Sequence, residues 1–255
     1  MARFDLSDAE WSIIAPLLPN KPRGVARTDD RRVLNGIFYI LRTGSPWRDL
    51  PERYGPYTTV YNRFNRWAKA GVWINIFNAL AEQSPESMAF IDSSIIRAHQ
   101  HAAGRKKGGP DHAIGLSRGG LSTKVHAIVD EAGLPIRLAL SPGQAGDKAM
   151  GAELIDSLKR ARHVVADRGY DARALVEQIE AVGAKAHIPT QRDRKVQRSV
   201  ARSIYRQRNL VERYFNKLKH FRRCATRFDK LARNFLAAVA LASTRLWTRS
   251  YESTT

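Results

Sequence analysis

Asp92 stands inside the run Met88, Ala89, Phe90, Ile91, Asp92, Ser93, Ser94, Ile95, Ile96, with apolar residues on both sides of it. A short apolar run without regular polar alternation predicts a strand buried on both faces. A carboxylate in such a strand is costly and persists only when paired or bound to metal. The pattern recurs at His163, Val164, Val165, Ala166 and Asp167, followed by Gly169 and a helical pattern of Ala174, Leu175, Gln178 and Ile179. Strands buried on both faces belong to α/β sheets, and carboxylates at their ends lie where such sheets place ligands. Either aspartate alone also reads as a helix cap or a turn residue. Two of them, in two such strands, point to a site.

A third acid has a different setting. Tyr205, Arg208, Glu212 and Lys219 are spaced Tyr-x2-Arg-x3-Glu-x6-Lys. At about 100° per residue they fall within an arc of roughly 60° on one helix face. A solvated amphipathic face is one account of the stripe. The other is a metal-bound phosphodiester, the carboxylate holding a divalent cation while the neighbouring cations hold phosphates. Asp92 and Asp167 favour the second.

With these pieces in this order, the chain resembles the DDE transposases of bacterial insertion sequences. More narrowly it is similar to the branch with a Tyr-Arg-Glu-Lys signature and to its insertion-sequence-five-like members. The likeness is carried by Ile91 to Ser94, by Ser122, Thr123, Lys124, Val125 and His126, by Ala166 to Asp171, and by the 205–219 stripe. It covers nearly the whole chain and shows no departure at the three acidic positions.

The resemblance implies a DNA transposase, with metal-dependent cleavage at transposon ends and strand transfer of the freed 3′-OH into target DNA. It implies a ribonuclease H-like sheet whose first and fourth strands lie side by side, so that Asp92 faces Asp167 and Glu212 arrives from a helix. Asp92, Asp167 and Glu212 are then both catalytic residues and metal ligands. Carboxylate and phosphate oxygens suit Mg²⁺, with Mn²⁺ substituting. Two such ions activate the attacking oxygen and stabilise the leaving one. Tyr205, Arg208, Lys219, Lys124 and Arg168 become DNA contacts, and the working complex is a homodimer on double-stranded DNA. His126, in a strand, reads as structural rather than catalytic.

Charge agrees with a polyanionic partner. Lys and Arg number 43 against 24 acids, a net charge of +19. The excess is greatest beyond residue 190, around Glu212. A ribosomal protein would also be basic, but it has no use for buried aspartates, and 43% hydrophobic residues can build a sizeable core. A single cysteine, Cys224, excludes an internal disulfide, as expected in a reducing cytosol. No apolar run has the length of a membrane span, and the N-terminus lacks the pattern of a signal peptide. The expected location is cytoplasmic, on the nucleoid.

Residues 1–86 read as an all-α domain. Ser7, Asp8, Ala9 and Glu10 form a capping box, and Leu34, Ile37, Phe38 and Leu41 form a helical stripe closed by Gly44. A turn-rich connection leads to a helix over 58–70 that buries Val60, Phe64 and Trp67 and carries Arg63 and Arg66. This is compatible with a helix-turn-helix-like reader of transposon ends, Arg63 and Arg66 contacting DNA in the major groove. A plain helical bundle is the alternative.

Residues 87–255 form the expected catalytic domain, with further strands at 123–129, 136–140 and 184–188. Residues 99–120, which include Arg105, Lys106 and Lys107, read as a mobile basic loop contacting DNA. The histidines His99, His101 and His112 match no standard zinc spacing. Two further functions share these residues: a ribonuclease H-like nuclease without strand transfer, and a DNA-binding regulator derived from a transposase.

Overall fold

The computed structural model describes residues 2–20, 27, 29–102 and 112–252. Its helices in chain order are α1 (Asp8–Ile14), α2 (Asp30–Thr43), α3 (Tyr57–Lys69), α4 (Val72–Ala81), α5 (Asp147–Asp156), α6 (Arg173–Ala181), α7 (Arg202–Tyr205), α8 (Asn209–Lys219), α9 (Arg222–Ala225) and α10 (Ala232–Glu252). Its strands are β1 (Met88–Ala98), β2 (Gly115–Ser117), β3 (Gly120–Val129), β4 (Pro135–Pro142), β5 (His163–Val165), β6 (Lys185–His187) and β7 (Thr226–Arg227). These elements divide into two compact units. A helical unit comprises the chain up to Leu80, the turn at 99–102 and the chain from Leu218 onward; a sheet unit holds Ala81–Ala98 and residues 112–217.

This differs from a division at residue 86, because the C-terminal helices belong with the N-terminal ones. α10 packs on α1, α2 and α3, and α9 packs on α2. The cause lies in two features of α10. Its run Phe235 to Ala242 is apolar and buried at Phe235, Ala237, Ala238, Val239, Ala240, Leu241 and Ala242, so it needs a helical face to cover it. Three residues beyond, Arg245 is also buried and donates to both carboxylate oxygens of Glu10, at 3.0 and 2.9 Å. Glu10 is itself the glutamate of the capping box that starts α1, the third residue of that helix. Among the described residues no helix is long and apolar enough to cross a membrane.

In the helical unit, α2 is capped by Asp29 and ends at Gly44, whose φ of +75° suits glycine. Residues 44–56, with 3₁₀ turns at Trp47–Asp49 and Glu52–Tyr54, then lead to α3. That connection is longer than the turn of about 3–4 residues in a helix-turn-helix, so α2 and α3 do not form a compact reader of that kind. Phe64 on α3 and Trp73 on α4 meet in the core, where the Trp73 Nε1–H donates to the Phe64 carbonyl at 3.0 Å.

The sheet unit carries the strand order β4-β3-β1-β5-β6, with β2 also pairing β3. β1, β3 and β4 run antiparallel in succession, whereas β5 is parallel to β1 and β6 to β5. This is the ribonuclease H-like arrangement, in which β1 and β5, the first and fourth strands once the short β2 is set aside, lie side by side. α5 packs on β3 and β4, and α6 on β6. Part of the loop expected over 99–120 is regular structure: Gln100–Ala102 is a 3₁₀ turn, and Gly115 pairs with Ser122. The run Arg105, Lys106, Lys107 lies outside the described residues.

Candidate active site

Parallel pairing of β1 with β5 sets Phe90 opposite Val165. Asp92 and Asp167 each follow that pair by two residues, near enough for the Asp167 charge to act on the Asp92 carboxyl. Beyond β5 the backbone turns sharply, and Asp167 caps a 3₁₀ turn over Arg168–Tyr170, its Oδ1 accepting from the Gly169 N–H at 2.8 Å. A Cβ at Gly169 would stand 2.9 Å from that oxygen, which is why a glycine follows. Asp92 accepts from the Ser93 N–H at 2.8 Å and keeps only 20% of its side chain exposed.

Glu212 comes from the first turn of α8. Val211, Tyr214, Phe215 and Leu218 form the buried stripe of that helix, spaced i, i+3, i+4, i+7. Glu212 lies off the stripe, with 51% of its side chain exposed. Tyr205 and Arg208 are not on the same α-helix as Glu212: Tyr205 ends α7, and Arg206–Arg208 form a 3₁₀ turn before α8 begins. A 3₁₀ turn advances about 20° more per residue than an α-helix. Tyr205 is therefore rotated off the narrow stripe that a single helix would give, though it remains close enough to act electrostatically on Arg208.

Arg208 joins the acids. One guanidinium nitrogen donates to Asp92 Oδ2 at 3.0 Å, and another donates to the Glu212 carboxylate. Burial alone would lower the Arg208 pKa, but Asp92 and Glu212 overcome it and hold the guanidinium above its ordinary value. Burial raises the Asp92 carboxyl above the ordinary aspartate range; Asp167 and Glu212 push the same way, against the Ser93 N–H and Arg208. Asp92 thus senses both of the other acids. Among the described residues no three acid, histidine or cysteine side chains stand close enough to share a metal ion, and the Arg208 guanidinium spans two of the acids instead. The donor set is all carboxylate oxygen and fits a hard divalent cation.

Behind Asp92 lies a second polar group that the sequence pattern does not isolate. Asp147, in the first turn of α5, accepts from Ser93 Oγ at 2.8 Å and from Lys124 Nζ at 2.9 Å. Lys124 also donates to the Ala145 carbonyl at 2.7 Å. It is thus a tether between β3 and α5 rather than a side chain free for DNA. His126 is fully buried, hydrogen-bonded to Ser141 Oγ at 2.7 Å, and desolvation lowers its pKa to about 4. It is neutral at pH 7 and structural, as a strand histidine should be. α5 itself approaches closely through Gly151, where a Cβ would stand 2.9 Å from the Tyr170 ring. The one sequence hint of Asp147 is an acid directly after Gly146 at a helix start, a setting too common to mark a site.

The remaining residues separate. Arg168 is exposed beside Asp167. Lys219 belongs to the helical unit, whereas Tyr205, Arg208 and Glu212 belong to the sheet unit. On α3, Arg66 is exposed, but Arg63 is buried, paired to Asp30 and stacked over Trp67 at 4.8 Å. Arg63 is therefore part of the core and is corrected here from a base contact to a structural residue.

A sheet of this order, with one carboxylate inside β1, a second just beyond the end of its neighbour β5 and a third acid on a following helix, defines a ribonuclease H-like enzyme. Residues 83–247 match the family described as "Transposase DDE domain", and residues 6–77 match "Putative transposase of IS4/5 family". The chain belongs to the DDE transposases of insertion sequences, and it is a DNA transposase, an enzyme of the DDE type. It is 38% identical over 130 residues to the "Putative transposase for insertion sequence element IS6501" of Brucella ovis, which covers 51% of this chain and 100% of that relative. It is 41% identical over 120 residues to the uncharacterized protein y4sN of Sinorhizobium fredii, covering 45% of this chain and 96% of the relative. Among solved structures, the Mos1 transposase paired-end complex with left transposon end aligns over 92% of this chain and 81% of that one, at 12% identity and a TM-score of 0.28. At that distance it adds nothing to the strand order.

Proposed function

We propose that Asp92, Asp167 and Glu212 are the carboxylates that hold the divalent metal on which this family depends, as two Mg²⁺ ions for which Mn²⁺ substitutes. The observation that supports this most is the β1–β5 pairing, which ends two residues before Asp92 and Asp167, together with the charge of Asp167 and Glu212 felt at Asp92. Bound there, the metal would supply Lewis-acid activation of the attacking oxygen and stabilisation of the leaving one. The protein's own residues do the rest. Arg208 pairs with Asp92 and Glu212 and offsets their charge. With those carboxylates holding metal, the guanidinium would be free to face a phosphate of the DNA, to which its planar fork is suited. Tyr205, next to Arg208, packs against a sugar or a displaced base, and Arg168 contacts the backbone beside Asp167.

Recognition of the element's ends falls to the exposed side of α3, which presents Tyr61, Asn62, Arg66 and Lys69. Double-stranded DNA is the substrate, a homodimer is the working assembly, and the protein acts in the cytoplasm. The test is a set of charge-removing, volume-conserving variants: Asp92→Asn, Asp167→Asn and Glu212→Gln. Each should abolish Mg²⁺-dependent cleavage and 3′-end joining while duplex binding stays near wild type. Substantial cleavage by any one of them removes that residue from the metal site.

A further inference from the structure

Six basic side chains from four separate stretches of the helical unit line one cleft of about 650 Å³: Arg3, Arg42, Lys219, His220, Arg222 and Arg249. No carboxylate lines it. Among the described residues Arg3, Arg42, Lys219 and Arg222 have no acidic partner within ion-pair distance, and only Arg249 has one, at 3.3 Å from Glu10. Glu10 is already committed to Arg245. The cleft therefore gathers like charges with no carboxylate in its own lining, an arrangement that costs free energy unless an anion fills it. Arg42 registers that cost: burial lowers its pKa, and Arg249 and Arg3 lower it further.

The fold builds this cleft deliberately close. α2 ends at Gly44 in the left-handed region, where a Cβ would stand 3.0 Å from the Arg222 Cβ, so only glycine lets the start of α9 sit against the end of α2. Arg42 lies over the Phe221 ring at 5.2 Å, which holds its guanidinium in place at low entropic cost. We propose that this cleft is a binding site for the phosphodiester backbone of duplex DNA, separate from the carboxylate site and from the exposed side of α3. Arginine forks pair bidentately with phosphate oxygens, and four arginines from different segments match successive phosphates rather than one small anion. The inference rests on the DNA-binding reading above and adds a third contact surface to it.

The test uses the full chain and a fluorescein-labelled duplex of unrelated sequence, with binding measured by anisotropy across a salt series. Each phosphate contact contributes about 0.9 to the slope of log K against log salt. The double variant Arg42→Gln/Arg222→Gln should flatten that slope by about 1.8. The control Lys159→Gln/Lys185→Gln removes the same charge from exposed positions of the sheet unit and should leave it within error. If Arg42→Gln unsettles the fold, shown by a lowered Tm, Arg3→Gln/Arg222→Gln replaces it with the same expectation. An unchanged slope, or an equal fall in the control, overturns the proposal. So does tight one-to-one binding of inorganic tripolyphosphate that the variant loses while its DNA slope is intact, since that marks a small-anion site. A wild-type chain that fails to bind duplex at all would instead sink the broader DNA reading.

Discussion

Glu10→Gln should be among the most damaging single substitutions in this chain, although residue 10 lies far in sequence from its partner. The Glu10 side chain is 3% exposed and that of Arg245 is 4% exposed, and the two share a bidentate ion pair. Removing one partner of a buried pair leaves the other charge uncompensated, at a cost of about 3–5 kcal/mol. Arg245 keeps its bonds to the carbonyls of Phe4 and Asp5, which places the expected loss at the low end, about 3 kcal/mol. For a chain of this size each kcal/mol moves Tm by about 2–4 °C, so the melt should fall by about 6–12 °C. Calorimetry on Glu10→Gln, Arg245→Met and the double variant reads both the size and the coupling. The double variant should lose less than the sum of the singles. A fall below about 1 kcal/mol for Glu10→Gln, or strict additivity, would refute the view that this pair ties α1 to α10.

Three further outcomes follow from other parts of the structure. His126 has a folded pKa of about 4 against 6.5 when free, so as pH falls the unfolded chain takes up the proton first. Stability should drop by about 3 kcal/mol between pH 6.5 and 4, and urea melts of His126→Gln should lack that part of the acid limb; parallel curves would exclude it. Arg63→Ala should cost about 2–3 kcal/mol through its pair with Asp30, whereas Arg66→Ala should leave Tm unchanged and weaken selective end binding; the reverse pattern refutes the assignment. Arg208→Gln removes the cation between Asp92 and Glu212, so Mn²⁺ titrated calorimetrically should bind more tightly while cleavage falls, and weaker metal binding would contradict the role given to Arg208.

The sheet was legible because Asp92 and Asp167 interrupt apolar runs, and period and length alone place such runs in a doubly covered sheet. Strand order and register then followed from the family likeness, and the β1–β5 pairing agrees with them. What escaped were facts that depend on tertiary partners. Arg63 shares the composition of a DNA-reading helix, and only the position of Asp30 shows that it faces inward. Lys124 reads as a free cation until Asp147 is placed beside it. The 3₁₀ turn before α8 breaks a stripe that assumes uniform helical spacing. A bridging guanidinium cannot be read from residue types, since Tyr-Arg-Glu-Lys spacing is equally compatible with an arginine that faces phosphate.

The helical unit is assembled from both ends of the chain, with the sheet unit inserted between them. On the ribosome this has a temporal meaning. The segment up to Leu80 emerges first, but α10, which covers it and supplies Arg245 to Glu10, emerges only after more than a hundred intervening residues. At about 5–20 residues per second, the early helices wait on the order of ten seconds or more without their partner, while the sheet unit can close behind them. A nascent chain halted before Leu218 therefore carries Asp92, Asp167 and Glu212 but an uncovered helical face, the state that chaperones and proteases recognise. Synthesis of α10, rather than formation of the catalytic sheet, is the event that covers the apolar face of the early helices.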